Sequence, residues 1–96
     1  MRVRVHLTQM LVRHLDMPPE FTVEAEDLED LLAKVDKGKP GFRDSICDEA
    51  GMVRVYVNVF LNEERIAHDA QALKVRFSEG DDVYILASVA GGSGSA

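Results

Sequence analysis

The residues of this chain best suited to chemistry are two adjacent glycines, Gly91 and Gly92, in the closing stretch ILASVAGGSGSA. Glycine has no Cβ. It passes a narrow channel, takes backbone angles other residues refuse, and leaves its acyl carbon open to attack. From Val89 to Ala96 there is no charge and no aromatic ring. Such a segment gains little by packing, so it is expected to be a mobile tail on a folded body. Extended at roughly 3.4 Å per residue, Ser88 to Gly92 reach about 17 Å. That would carry Gly92 deep into a second protein while the body docks outside. The expected division is a domain over residues 1–88 and a flexible tail over residues 89–96.

Other constellations offer less. Cys47 sits in DSICDEA, among acids, which raise a thiol pKa rather than lower it. It reads as buried or inert rather than as a catalytic thiol, and one cysteine forms no internal disulfide and fits a reducing compartment. His6, His14 and His68 lack the spacing of metal ligands. His14–Asp16 and His68–Asp69 read as surface pairs. Ser45, His68 and Asp69 have no nucleophile-elbow sequence around them, and KGKPG lacks the spacing of a phosphate loop. The acids Glu24, Glu26, Asp27, Glu29 and Asp30 read as a solvated helix start, with a basic partner contact as the lesser alternative.

Ninety-six residues allow one domain with one modest core. There is little room for a deep enzymatic cleft as well, so an enzyme is not expected. Seventeen acids against 11 bases give a net charge of −6, which argues against a nucleic-acid partner. No apolar run is long enough to span a bilayer, and MRVRVHL carries no secretory signal. The expectation is a cytoplasmic protein with no membrane partner.

The elements that would position the tail follow from periodicity. Residues 2–7 alternate, with Val3, Val5 and Leu7 on one face and Arg2, Arg4 and His6 on the other, a half-buried strand. TQMLVRHLDMPPE reads as a connection with at most one helical turn, and EFTVEA as a second strand that could form a hairpin with the first. Leu28, Leu31, Leu32 and Val35 at i, i+3, i+4 and i+7 predict a helix over about 27–37. Asp27 would be its N-cap, Gly38 its C′ residue, and Pro40 its stop. GFRDSICDEAGM is irregular or a short helical turn. VRVYVNVFL predicts a strand over 53–61 with Val53, Val55, Val57, Val59 and Leu61 facing the core. A turn at Asn62–Glu64, a short strand near Arg65–Ile66, a short run at Leu73–Phe77 and a last strand at Val83–Ser88 complete the order. One amphipathic helix on one face of a four- to five-stranded mixed sheet is an α+β layer design.

Three stretches, in order, carry a resemblance over Val3 to Gly92: VNVFLNEERI, EGDDVYIL and ASVAGG. Together they resemble the ubiquitin-like, β-grasp sulfur carriers of the ThiS/MoaD family. The resemblance implies a β-grasp fold and a carrier rather than a catalyst. It also implies partners. An E1-like adenylyltransferase would activate the Gly92 carboxylate with ATP and Mg²⁺, neither held by this chain. Sulfur would then replace AMP as a thiocarboxylate, which a sulfur-acceptor synthase would consume.

This chain departs from the family pattern where Ser93, Gly94, Ser95 and Ala96 follow the glycines. While Ser93 is attached, the Gly92 carbonyl is an amide and cannot be adenylated. The resemblance implies removal of residues 93–96 between Gly92 and Ser93, by a JAMM-type zinc metalloprotease. GGSGSA also reads as an engineered linker, in which case Gly92 is the native end and no cut is needed. Two further readings stand beside the carrier. One is a ubiquitin-like modifier joined through Gly92 to lysines, and the other is an interaction module with an inert tail.

If the helix covers the valine face, the opposite face carries Tyr56 and Phe60, with Tyr84 and Leu86 of the last strand beside Arg2, Arg4 and His6. Aromatics rimmed by charge suggest a docking patch, continued by Val89 and Ala90 of the tail. Cover by loops or a second subunit is the structural alternative.

Overall fold

The computed structural model describes residues 1–88. The element order is β1 (Arg2–Leu7), α1 (Gln9–Leu15), β2 (Glu20–Glu24), α2 (Leu28–Gly38), α3 (Phe42–Ile46), β3 (Val57–Leu61), β4 (Glu64–Ile66), a 3-10 turn (Ala72–Lys74) and β5 (Asp82–Ala87). The five strands form one sheet in the order β2-β1-β5-β3-β4. β1 and β5 run parallel, and the other pairs are antiparallel. Among the described residues no helix is long and apolar enough to cross a membrane.

The period-two pattern of β1 puts Val3, Val5 and Leu7 in the core, and β5 adds Val83 and Ile85. Val57 and Val59 of β3 complete the buried face, and Leu28, Leu31 and Leu32 of α2 pack on it. Each such side chain contributes about 1.5–3 kcal/mol when fully buried. These burials make β1, β5 and β3 a rigid centre, and everything else is placed against it.

α2 starts where the sequence predicts. Asp27 is its N-cap, its carboxylate accepting from Asp30 N–H at 2.8 Å, while Asp30 reaches back to accept from Glu26 N–H at 3.0 Å. Removing an N-cap carboxylate typically costs about 1 kcal/mol. Gly38 is not the C′ residue. It closes the helix itself, and the left-handed glycine is Gly41, at φ 101°. There Asp36 Oδ1 accepts from Gly41 and Arg43 N–H, which turns the chain into α3.

Two other expectations need correction. The connection after β1 is a seven-residue helix, α1, rather than at most one turn. Leu11 and Leu15, four apart, bury its inner face, and Pro18 and Pro19 lie beyond its end. The strand expected over 53–61 begins only at Val57. Val53 is buried, but it pairs with Cys47 in an isolated bridge, and Arg54 N–H donates to Ile46 O. The chain then turns, leaving Val55 87% exposed rather than in the core.

Candidate functional site

The site has two parts, the open face of the sheet and the root of the tail. Register builds the first. His6 pairs with Glu20 and Tyr84, and Phe60 pairs with Tyr84 and Arg65. A single row, Glu20–His6–Tyr84–Phe60–Arg65, therefore crosses all five strands on the face away from α2. Asn58 and Leu86 form the neighbouring pair toward the end of β5. Phe60, Tyr84 and Leu86 are each half-buried.

The two halves of this face differ electrically. On the β1–β2 side the charges cancel locally. Asp82 Oδ1 takes His6 Nε2 at 2.9 Å and Arg4 Nη1 at 3.1 Å, Arg4 Nε lies 3.6 Å from Glu20, and Arg2 Nε lies 3.5 Å from Glu24. The hydrogen bond from His6 holds the Asp82 carboxyl below the usual carboxylate range, desolvation opposes it, and the nearby Arg4 charge lowers it further. The His6 ring also stacks on Tyr84, with centroids 4.3 Å apart and planes 14° apart. The β5–β3 side carries Tyr84, Leu86, Phe60 and Asn58, none of them a carboxylate or a cation, and Arg65 of β4 borders it, its Nη1 donating to Asn58 Oδ1 at 3.1 Å. It is the half that gives up least solvation when covered.

The root of the tail adjoins that half. Ala87 pairs with Val57, and its N–H donates to Thr8 Oγ1 at 3.2 Å. The N–H of Ser88 donates to Tyr56 O at 2.9 Å. Thr8 is a residue that sequence reasoning missed, since a threonine between a strand and a helix signals only an N-cap, and here its hydroxyl makes no cap bond. Its hydroxyl fixes β5 instead.

Tyr56 does not share the strand face with Phe60. It lies in the turn before β3, 37% exposed, where it lines a cavity of about 240 Å³ with Met10, Leu11, His14 and Ser45. Its backbone carbonyl, rather than its ring on the sheet, ties it to the tail. Val89, Ala90, Gly91, Gly92 and Ser93 lie outside the described residues.

The start of β5 is held as firmly as its end. Asp81 accepts from Ser78 N–H at 2.7 Å and from Asn62 Nδ2 at 3.1 Å, while Asn62 Oδ1 accepts from Asp82 N–H at 3.0 Å. Asn62 has φ 57°, and Gly80 has φ 83°. The SEGDD turn and the β3–β4 turn thereby fix each other, and with them the register of Tyr84 against Phe60.

The side groups set aside in the sequence occupy separate places. Cys47 is 2% exposed, and burial is the main cause pushing its thiol up. Arg43 lowers it and Asp48 raises it, so desolvation rather than neighbouring acids dominates. Ser45 donates to Gly41 O, and His68 Nε2 bonds Val57 O, so their hydrogen bonds run to different backbone carbonyls. His68 is half-buried by that bond rather than a surface partner of Asp69. Among the described residues no group of three or more His, Cys, Asp or Glu is placed to hold a metal ion.

No protein-family model matches the sequence, and no curated protein sequence matches it. Solved structures do match. Against SAMP1 from Haloferax volcanii the TM-score is 0.77 at 18% identity, over 99% of this chain and 100% of that one. Against a chain of the Amycolatopsis orientalis BexX/CysO complex it is 0.78 at 20% identity, over 91% and 96%. Against the small archaeal modifier protein 1 (SAMP1) from Methanosarcina acetivorans it is 0.76 at 22% identity, over 98% and 96%. The fold of this chain is the ubiquitin-like β-grasp fold, as the order of its elements and its sheet already indicate.

Proposed function

We propose that the chain is a sulfur carrier whose working group is the carboxyl of Gly92. The observation that carries this reading is the placement of the tail root. β5 ends clamped by Thr8 and Tyr56 beside the uncharged half of the open face, and three residues separate Ser88 from Gly92. A partner covering Tyr84, Leu86 and Phe60 would sit where the tail leaves the body. The glycines could then extend into its catalytic chamber.

On this reading Ser93–Ala96 are removed first, by a JAMM-type metalloprotease. An E1-like enzyme then brings ATP and Mg²⁺. The Gly92 carboxylate attacks the α-phosphate, and pyrophosphate leaves. A reduced sulfur nucleophile adds to the acyl carbon and displaces AMP, which leaves a thiocarboxylate. A synthase takes the sulfur as a nucleophile for its own substrate. This chain supplies the docking face, the reach and an unhindered acyl carbon. It holds no cofactor and performs no catalysis, and it works in the cytoplasm.

The fold supports this reading, as does the BexX/CysO complex, in which a protein of this fold is bound to a second protein. The name of the Methanosarcina protein, a small archaeal modifier protein, favours one alternative, a modifier joined through Gly92 to lysines. Mass spectrometry of the protein from its native host separates the two. The carrier reading expects chains ending at Gly92, some with one sulfur in place of oxygen. Gly92 isopeptide adducts without any thiocarboxylate would select the modifier, and uncut chains alone would defeat both.

A further inference from the structure

The junction of β1, α1 and β5 assigns a role to one more residue, and the inference rests on the carrier reading. β1 and β5 run parallel, with Leu7 paired to Ile85. Thr8 is the next position along. In a parallel ladder such a residue donates its N–H to one carbonyl of the neighbouring strand and accepts, with its own C=O, from the N–H two residues further on. Thr8 makes the first of these bonds, its N–H donating to Ile85 O at 3.3 Å. Its carbonyl is turned to the helix instead, where it accepts from Val12 N–H at 3.0 Å. A strand that passes at once into a helix thereby withholds one carbonyl from its neighbour.

The Thr8 side chain supplies the acceptor in its place. Ala87 N–H donates to Thr8 Oγ1 at 3.2 Å. The other side of β5 offers no substitute. Ser88 N–H donates to Tyr56 O at 2.9 Å, and bonded positions alternate along an antiparallel pair. Ala87 and Val57 therefore face each other without exchanging hydrogen bonds. That leaves Ala87 N–H to the Thr8 hydroxyl, and the branch at Thr8 Cβ restricts its rotamer. β5 runs one rung past the end of β1, and its last two amides are held from opposite sides, by Thr8 and by Tyr56.

We infer that Thr8 is the positioning residue of the tail: its hydroxyl fixes Ala87, and so the point and direction from which the activated terminus leaves the body. Docking belongs to Phe60, Tyr84 and Leu86. Without the Thr8 oxygen the end of β5 frays and the tail is rooted further back. A smaller share of docked chains then has the Gly92 carboxyl in place. The loss falls on turnover rather than on affinity.

The test uses the chain ending at Gly92. Thr8→Val keeps the branched shape and removes the acceptor, and Thr8→Ser keeps the hydroxyl. Residue-resolved amide exchange reads the rung, and pyrophosphate release with an activating enzyme from the same host reads the tail. Thr8→Val is expected to speed exchange at Ala87 at least tenfold while the amides of Val5 and Val59 keep their protection. Its kcat should fall about threefold with KM unchanged within twofold, and Thr8→Ser should restore both readouts. Unchanged exchange at Ala87 in Thr8→Val overturns the inference, as does a Thr8→Ser chain that behaves like Thr8→Val. A rise in KM with kcat unchanged overturns it too, because Thr8 would then act in docking. Loss of protection throughout β1, β3 and β5 would make Thr8 a residue of the fold alone and overturn its role at the tail. A parent chain that releases no pyrophosphate defeats the carrier reading and this role with it, whereas unchanged exchange at Ala87 defeats the role of Thr8 alone.

Discussion

The amide of Ser88 donates to the carbonyl of Tyr56 at 2.9 Å, which makes Tyr56 the last described anchor before the tail. One residue earlier Ala87 is held by Thr8 Oγ1, at 3.2 Å. Reach is therefore counted from Ser88. Deleting Val89 and Ala90 shortens it by about 7 Å. The shortened chain, otherwise ending at Gly92, should melt as the parent does and lose adenylation, read as pyrophosphate release with an activating enzyme. Undiminished release would mean that reach is not what the tail supplies.

Charge on the uncharged half of the open face should block docking without emptying the core. Phe60→Asp and Leu86→Asp alter half-buried side chains on the side away from α2. Each is expected to raise the apparent KM of the activating enzyme for this chain at least tenfold while folding is retained. Ile85→Ala is the contrast, because Ile85 is 0% exposed and its truncation should cost about 2–5 kcal/mol. Paired kinetics and urea unfolding check both. If Phe60→Asp unfolds as readily as Ile85→Ala, Phe60 belongs to the core instead.

Asp82 gives a pH prediction with a definite sign. The hydrogen bond from His6 leads in lowering its folded pKa, and the Arg4 charge assists. The unfolded chain binds the proton more readily, so this share of stability is complete above the ordinary carboxylate pKa. It fades as pH falls toward the lowered folded value. Asp82→Asn should therefore flatten the fall of the urea midpoint as pH drops below the ordinary carboxylate range. Parallel curves for the two proteins would remove Asp82 from the acid response.

Much of this was legible in the sequence. α2 announces itself through Asp27 and the Leu28–Leu31–Leu32–Val35 stripe, because its cap and its buried face are both local. The placement of Phe60, Tyr84, Leu86 and His6 on one face follows from period two alone. The alternation alone makes β3 too long, because Val53 and Val55 extend the pattern of Val57 and Val59. The contact that stops the strand, Val53 against Cys47, is not local. The same interruption moved Tyr56 off the sheet face. α1 is faint in the sequence because its first turn has no acid and Thr8 makes no cap bond, so burial of Leu11 and Leu15 is what marks it.

The central claim is that the carboxyl of Gly92 can be activated and loaded with sulfur. The direct measurement is intact mass of the chain ending at Gly92 after incubation with an activating enzyme from its own host, ATP, Mg²⁺ and a sulfide donor. The account predicts a mass gain equal to one sulfur replacing one oxygen. That gain should map to Gly92 and be absent from the chain that still carries Ser93–Ala96. An unchanged mass, with the same enzyme adenylating another carrier under the same conditions, would contradict it.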